Sequence, residues 1–272
     1  MIGLQRSVWY YKTHKYDKDV IEKLQSLAEQ YPTRGFDDYY GKIRNEGLVW
    51  NRKRVLRIYR AIKLGLRPKH KRRLPARVKE PLQQSSKPNE SYSMDFMSDA
   101  LTSGRKLRVL KIMDDYTRES LAAHADYSIP SEQVIEVLKQ IIEERTKPDQ
   151  IRVDNGPEFT SKVFTTWCNT NGIAIKYIQP GKPMQNGYIE RLNRTFREDV
   201  LDAYQFETLE ELRMLSDEWQ YKYNHYHPHK SLKRRTPLGT YNAWRQPHCK
   251  RTIEQQQQNQ NPAAEHSIIH LQ

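Results

Sequence analysis

Three carboxylates occupy places from which they could act on a phosphodiester. In IRVDNGPEF, residues 151–159, an apolar–polar alternation runs into Asp154, and Asn155-Gly156-Pro157 then turns the chain. Asp154 is either an ordinary turn residue or a group held at a strand tip for chemistry. Asp95 lies in SYSMDFMS, whose alternation puts Tyr92, Met94 and Phe96 on one face and Ser93 and Asp95 on the other. Glu190 lies in the first turn of a helix that starts near Tyr188. Arg194 and Arg197 follow it at i+4 and i+7 on the same face, beside an apolar stripe of Ile189, Leu192, Phe196 and Val200. Three converging carboxylates need cations to offset their repulsion. Mg²⁺ takes oxygen ligands and keeps several waters, so a few carboxylates suffice. Two such ions ~3.5–4 Å apart activate a water or a 3′-hydroxyl and stabilise the leaving oxygen of a phosphodiester. The expectation is that Asp95, Asp154 and Glu190 are catalytic ligands of two Mg²⁺ (or Mn²⁺) ions. With 33 Asp and Glu among 272 residues, spacing alone is weak support; the surrounding elements carry more.

Other reactive side chains read differently. Asp114 and Asp115 end a strand and shape the turn before Thr117-Arg118. Glu158 caps the next helix or sits near nucleic acid. His225, His227, His229 and His248 with Cys249 match no zinc spacing and read as loop packing or phosphate contacts. Cys168 and Cys249 form no disulfide framework and read as free thiols. No run of ~18 apolar residues is present, so no membrane span is expected, and the N-terminal MIGLQRSVWYYK lacks the apolar stretch of a signal peptide.

The elements that must position the carboxylates follow from periodicity. Strands are expected at SYSMDFMS, RKLRVLKIMDDYTRE, SLAAHADYS, QIRVDN and IAIKYIQ. A helix runs from Ser131 to about Arg145, another covers SKVFTTWCNTNG, and Thr208 with Glu211 forms a capping box. The order βββαβαβα with trailing helices is α/β with a mixed five-stranded sheet and flanking helices. Such an order can set the first and fourth strands side by side and lay the Glu190 helix across them.

Charge divides the chain. Residues 1–90 hold 22 Lys/Arg against 9 Asp/Glu, whereas residues 91–272 hold 24 of each, so the whole net charge of +13 sits in the first third. Helical patterns at 17–31 and 36–46, a break at Gly47 and an N-cap at Asn51 suggest a small all-α helix-turn-helix domain. Arg52, Lys53, Arg54, Arg57 and Arg60 load its third helix, as a helix facing DNA phosphates or guanine edges would require. The bland alternative is a three-helix bundle with a solvated basic face. The organisation expected is a basic helical region over 1–65, a basic Pro-containing linker over 66–90, a catalytic core over 91–252 and a Gln-rich tail over 253–272.

SMDFM, VDNGPEF and GKPMQNGYIERLNRTFRED together resemble the DDE transposases and integrases, with Asp, Asp and a Glu that thirty-five intervening residues separate from the second Asp. The likeness is nearest to the second-frame (OrfB) product of bacterial insertion sequences that use two overlapping frames. YNHYHPHKSLKRRTPLGTYNAW resembles that family's end motif, and YPTRGFDDYYGKIRNEGLVWNRKRVLRIYRAIKLGL its helix-turn-helix. The resemblance covers about residues 15–245, with His227 standing where an Arg before Pro-His is common. It implies an RNase H-like core and metal-dependent DNA strand cleavage and transfer. Asp95, Asp154 and Glu190 match the family's metal ligands, and Arg197 its basic residue seven after the Glu. DNA, the upstream-frame (OrfA) protein or a fusion with it, and further copies of the chain are the implied partners, in a bacterial cytoplasm at the nucleoid. Rival readings are an inactive DNA-binding relic or regulator, disfavoured by the intact triad, and an RNase H-like nuclease, disfavoured by the basic helices.

Overall fold

Apolar side chains at helical spacing close the first of two structural units. In the computed structural model residues 17–65, 85–179 and 186–246 are described, and the chain divides into Met1–Arg72 and Arg73–Gln272. The tail at 253–272, the loop at 180–185 and the linker up to residue 84 lie outside the described residues.

Helices α1 (Lys18–Gln30), α2 (Phe36–Asn45) and α3 (Arg52–Ala61) make up the described part of the first unit. Val20, Leu24 and Leu27 of α1 are buried against Tyr39 and Ile43 of α2 and Val55, Ile58 and Tyr59 of α3. Gly47 sits at φ +86°, a left-handed conformation that lets the chain leave α2 without a Cβ penalty. The Asn51 side chain accepts the Lys53 N–H at 2.8 Å and so caps α3.

The second unit is built on five strands, β1 (Ser91–Ala100), β2 (Lys106–Asp114), β3 (Ser120–Asp126), β4 (Gln150–Val153) and β5 (Ala174–Tyr177), in the order β3-β2-β1-β4-β5. The first three form an antiparallel meander, while β4 runs parallel to both β1 and β5. The result is a mixed, RNase H-like sheet with β1 at its centre. Helices α4 (Ser131–Glu144), α5 (Pro157–Thr160) and α6 (Lys162–Thr170) connect the later strands. Then come α7 (Gly187–Phe196), α8 (Leu209–Tyr226) and a helix over 237–246. The α-helical pattern after Tyr188 predicts one continuous helix, but the chain widens into a π-helical turn at Arg197–Leu201, which still buries Val200 and Leu201. The capping box is present: the Thr208 hydroxyl accepts from Glu211 N–H, and the Glu211 carboxylate accepts from the Thr208 backbone.

Both faces of the sheet are covered. Tyr92, Met94, Leu110, Ile112, Ile151 and Val153 pack with Val134 and Leu138 of α4 and Phe164 and Cys168 of α6. On the other face, Met97, Leu107, Val109 and Met113 meet Ile189, Leu192 and Phe196 of α7 and Trp219 and Tyr223 of α8. The polar face of β1 read from the sequence is therefore roofed by helices. Ser93 is fully buried there. Burial of the Cys168 thiol pushes its pKa up to about 12, which leaves it unreactive.

Several of the charges inside this roof are bonded to one another, and Lys111 is treated differently. Asp115 has no exposed surface; it accepts the Ser91 and Ser93 hydroxyls at 2.8 and 2.5 Å and pairs with Arg152 at 3.1 Å. Asp114 accepts the backbone N–H groups of Asn89, Tyr116 and Thr117 and so shapes the turn after β2. Lys111 is fully buried, its Nζ has no hydrogen-bond partner among the described residues, and it lies 4.1 and 4.3 Å from the ring centres of Phe196 and Trp219. The two aromatic faces offset part of the desolvation cost.

Burial lowers the pKa of Lys111 well below its ordinary value of 10.5. The unfolded chain therefore binds more protons than the folded one in the window below 10.5, so stability rises as pH climbs towards that value. Replacing Lys111 with Met keeps the contact with the rings and removes the unpartnered amine. We expect Lys111→Met to gain about 1–3 kcal/mol at neutral pH and to flatten that alkaline rise in urea-denaturation midpoints. An unchanged midpoint at pH 7 would show that the rings alone satisfy the ammonium.

Candidate active site

The parallel register of β1 and β4 decides where the first two carboxylates meet. Ser93 pairs with Arg152, so Asp95 and Asp154, each two residues further along, come level on adjacent strands. Asp95 still belongs to β1, opposite Lys111 on β2, whereas β4 has ended at Val153. Asp154 is thus the first residue past the strand and is exposed. Its Oδ1 accepts the Gly156 N–H at 2.9 Å, and the Asn155 side chain donates to the Ile178 carbonyl at 3.0 Å, tying the turn to the residue after β5. A Cβ on residue 156 would stand 3.0 Å from Asp154 Oδ1 and 3.3 Å from Glu158 Oε2, so glycine lets the turn fold tightly against both carboxylates.

The third carboxylate arrives on α7, whose apolar stripe packs on the sheet. Asn193, one helical turn after Glu190, donates its amide to Asp95 Oδ2 at 2.8 Å. Residues three apart share a helix face, so the bond that fixes Asn193 on Asp95 also brings the Glu190 face to β1. Glu190 itself is exposed. Asp95 registers the convergence. Its pKa is pushed up to about 6, chiefly by burial, with the charges of Asp154 and Glu190 adding to the shift; the Phe96 N–H and the Asn193 amide oppose it.

The donor set is all carboxylate oxygen, which suits a hard divalent cation rather than zinc or copper. The raised proton affinity of Asp95 marks a place where positive charge is favoured. Among the described residues no three His, Cys, Asp or Glu side chains are gathered into a formed metal cage. The three carboxylates share an electrostatic neighbourhood rather than a coordination shell.

The expected DNA-contacting cations have mixed surroundings. Arg194 is exposed on α7. Arg197 donates to the Ser98 carbonyl at 3.1 Å and lies 3.7 and 3.8 Å from Asp99 and Asp202, bracing the π-helical turn against the end of β1. On α3, Arg52 pairs with Asp37 at 2.8 Å, and Arg54 and Arg57 both pair with Asp17, at 3.0 and 2.6 Å. Lys53 and Arg60 stand exposed. Glu158 pairs with Arg108.

Two residues near the carboxylates escape a reading by motif. Asn193 has a signal, its i+3 place after Glu190, but an Asn on a helix is too common to single out. Lys111 has one too, a lone charge among apolar residues of a central strand, and an amphipathic reading assigns it to solvent.

The integrase core domain family matches residues 85–183 and 171–237. The chain is 35% identical over 239 residues to an uncharacterized 31.7 kDa protein of insertion element IS407 from Burkholderia multivorans, covering 87% of this chain and 86% of that one. It is 36% identical over 215 residues to an uncharacterized 39.2 kDa protein of insertion element IS476 from Xanthomonas euvesicatoria, covering 79% of this chain and 62% of the other. The fold is shared with a chain of the simian T-cell lymphotropic virus intasome in complex with PP2A regulatory subunit B56 gamma, at 17% identity and a TM-score of 0.51, covering 72% of this chain and 70% of that one.

The shift on Asp95 has a consequence for stability. Between pH 3.8 and about 6 the folded chain keeps a proton that the unfolded chain has released, so this residue's contribution falls as pH rises through the window and costs most above it. At 1.36 kcal/mol per unit the cost is up to about 3 kcal/mol. Asp95→Asn is expected to raise the thermal midpoint at pH 7.5 without divalent ions and to change it little at pH 4. Equal effects at the two pH values would contradict the assigned environment.

Proposed function

Since this chain belongs to the integrase core domain family of insertion-element proteins, we propose that it is a transposase that cleaves and joins DNA strands through Asp95, Asp154 and Glu190. The observation that carries the reading is the parallel register of β1 and β4, which leads Asp95 on β1 level with Asp154 just past the end of β4, with the Glu190 face of α7 held over β1 by Asn193. Three carboxylates from distant segments are a poor arrangement for folding stability and a good one for binding divalent cations. When bound there, Mg²⁺ or Mn²⁺ supplies Lewis-acid polarisation of a phosphoryl oxygen and a more acidic water or hydroxyl.

The chain's own residues then have distinct tasks. Asp154 presents its carboxylate from a turn fixed by Gly156 and Asn155. Asn193 holds Asp95 in one rotamer. Arg194, exposed one turn after Glu190, meets a DNA phosphate near the reacting bond. The first reaction is hydrolysis at an element end, which frees a 3′-hydroxyl; the second is attack of that hydroxyl on another phosphodiester in the same site. Neither needs a covalent protein–DNA intermediate. On α3, Lys53 and Arg60 face DNA directly. The exposed pair of Arg52 with Asp37 contributes only ~0–1 kcal/mol, so a phosphate can replace Asp37 as its partner, and phosphates can compete with the less exposed Asp17 for Arg54 and Arg57. The upstream-frame protein, further copies of the chain and a bacterial cytoplasm complete the proposal.

Labelled DNA carrying the sequences that flank the gene tests it, with the chain alone and fused to the upstream frame. Nicking that requires Mg²⁺ or Mn²⁺ is expected from the wild type and is expected to be lost in Asp154→Asn and Glu190→Gln, with the far-ultraviolet circular dichroism unchanged. Tight binding without nicking under either metal would favour a DNA-binding regulator. Cleavage of any duplex or hybrid regardless of sequence would favour a nuclease. A double change, Lys53→Glu with Arg60→Glu, is expected to weaken binding to all sequences and to reduce the slope of log K against log salt by about 2, one for each lost phosphate contact.

A further inference from the structure

A cavity of about 320 Å³ opens beside Glu190, lined by Arg118, Gly187, Tyr188, Arg191 and His229 among others. Three of these are basic side chains from three separate segments. Arg118 comes from the turn between β2 and β3, Arg191 from α7, and His229 from the chain after α8. Arg118 and His229 are 95% and 93% buried, yet Arg118 Nη1 and His229 Nε2 have no hydrogen-bond partner among the described residues. A buried guanidinium donor left without a partner is costly, and where it meets an unpartnered imidazole nitrogen, which donates in one of its two neutral tautomers, the cavity suits an acceptor. The rest of the Arg118 guanidinium is held flat over the Tyr188 ring, 3.2 Å from its centre. Its backbone is left-handed, at φ +61°, and its N–H donates to the Asp114 carbonyl; Asp115 lies within electrostatic reach, but the side chains of Asp114, Asp115 and Glu119 make their hydrogen bonds to other groups. The surroundings thus fix the arginine in a conformation that a non-glycine residue rarely adopts.

The three groups crowd one another. Burial first, then the charges of Arg191 and Arg118, push the pKa of His229 down to about 3. The start of α7 adds to the field: its N-cap Asn186 makes no side-chain cap bond, so the first N–H groups of the helix, at Gly187 and Tyr188, are not capped by that residue.

We infer that Arg118, Arg191 and His229 form a seat for one phosphate-bearing nucleotide of the DNA strand, next to Glu190. The seat rests on the proposed transposase reading, and gives a role to the Pro-His motif that the carboxylates leave unexplained. A bare phosphate would fill little of the space, whereas a nucleotide places its phosphate on the basic groups and its sugar and base in the remainder. Seating a nucleotide there fixes the strand's position along the site, which is where orientation adds most to rate.

The test uses the full chain, ¹⁵N-labelled, without divalent ions. Histidine ring signals are followed by NMR, with His229 assigned through His229→Gln. The probes are thymidine 3′,5′-bisphosphate, inorganic phosphate and thymidine. The bisphosphate is expected to shift the His229 signal saturably. Because Arg191 is exposed, Arg191→Glu should fold normally and weaken binding at least tenfold, and Arg118→Gln should do the same where circular dichroism shows it folded. Absence of a shift, equal affinity for inorganic phosphate or thymidine, or no weakening in Arg191→Glu would overturn the seat. Nicking by the wild type, measured alongside, separates the two readings. Bisphosphate binding by a wild type that nicks no DNA under either metal would leave the seat standing without the transposase. Metal-dependent nicking by a wild type that binds no bisphosphate would do the reverse.

Discussion

The hydrogen bond from Asn193 to Asp95 holds together the two halves of the candidate site, and most of the second unit can be understood from what that bond requires. Asp95 lies on the central strand, on a face roofed by α7 and α8. A carboxylate there is partly desolvated and repelled by Asp154 and Glu190. It needs a donor, and the only way to supply one from α7 is to bring that helix within hydrogen-bonding distance of β1. The apolar stripe of Ile189, Leu192 and Phe196 provides the adhesion, and Asn193 provides the registration. Glu190 is then carried into place by the geometry of the helix.

The same roof explains the density of buried charge around the sheet. Asp114, Asp115 and Glu119, with Arg145 and Arg152 from other segments, form bonded pairs and turns between the end of β2 and the start of β3. Buried ion pairs of this kind contribute little net stability, yet breaking one leaves an isolated charge, so they fix a single arrangement strongly. Here the arrangement they fix includes Arg118, whose left-handed backbone sits within the turn. Lys111 shows the opposite treatment, a charge roofed by aromatic rings with no polar partner. Stability has been spent at Asp95 and Lys111 in the same part of the sheet, next to the place where chemistry is proposed.

The basic residues divide between bracing and exposure. Arg197 has the spacing of a DNA contact, yet it clasps the Ser98 carbonyl and two aspartates at the π-helical turn. Three of the five cations on α3 are held by Asp17 and Asp37. Such pairs orient long side chains before any phosphate arrives, which lowers the ordering cost of a later contact.

Local chemistry was legible in the residues. Period-2 and period-3.6 patterns marked all five strands and the major helices, Asn51 and Thr208 announced their caps, and the Asp-Asn-Gly-Pro turn announced a strand tip. The three carboxylates could be proposed together because a βββαβ order permits β1 beside β4. What alternation could not report is what lies over a strand. It gave the Ser93 face only as polar, and it passed over Lys111 and Asn193, because burial on that face comes from helices a hundred residues later in the chain. The helical pattern also could not foresee the wide turn at Arg197–Leu201, which keeps Val200 on the core while the backbone changes pitch. The gathering of Arg118, Arg191 and His229 was equally invisible, since no spacing in a sequence encodes three segments meeting at one cavity. Propensity and patterning act over a few residues, whereas the neighbours of a buried charge are chosen by the packing of the whole unit.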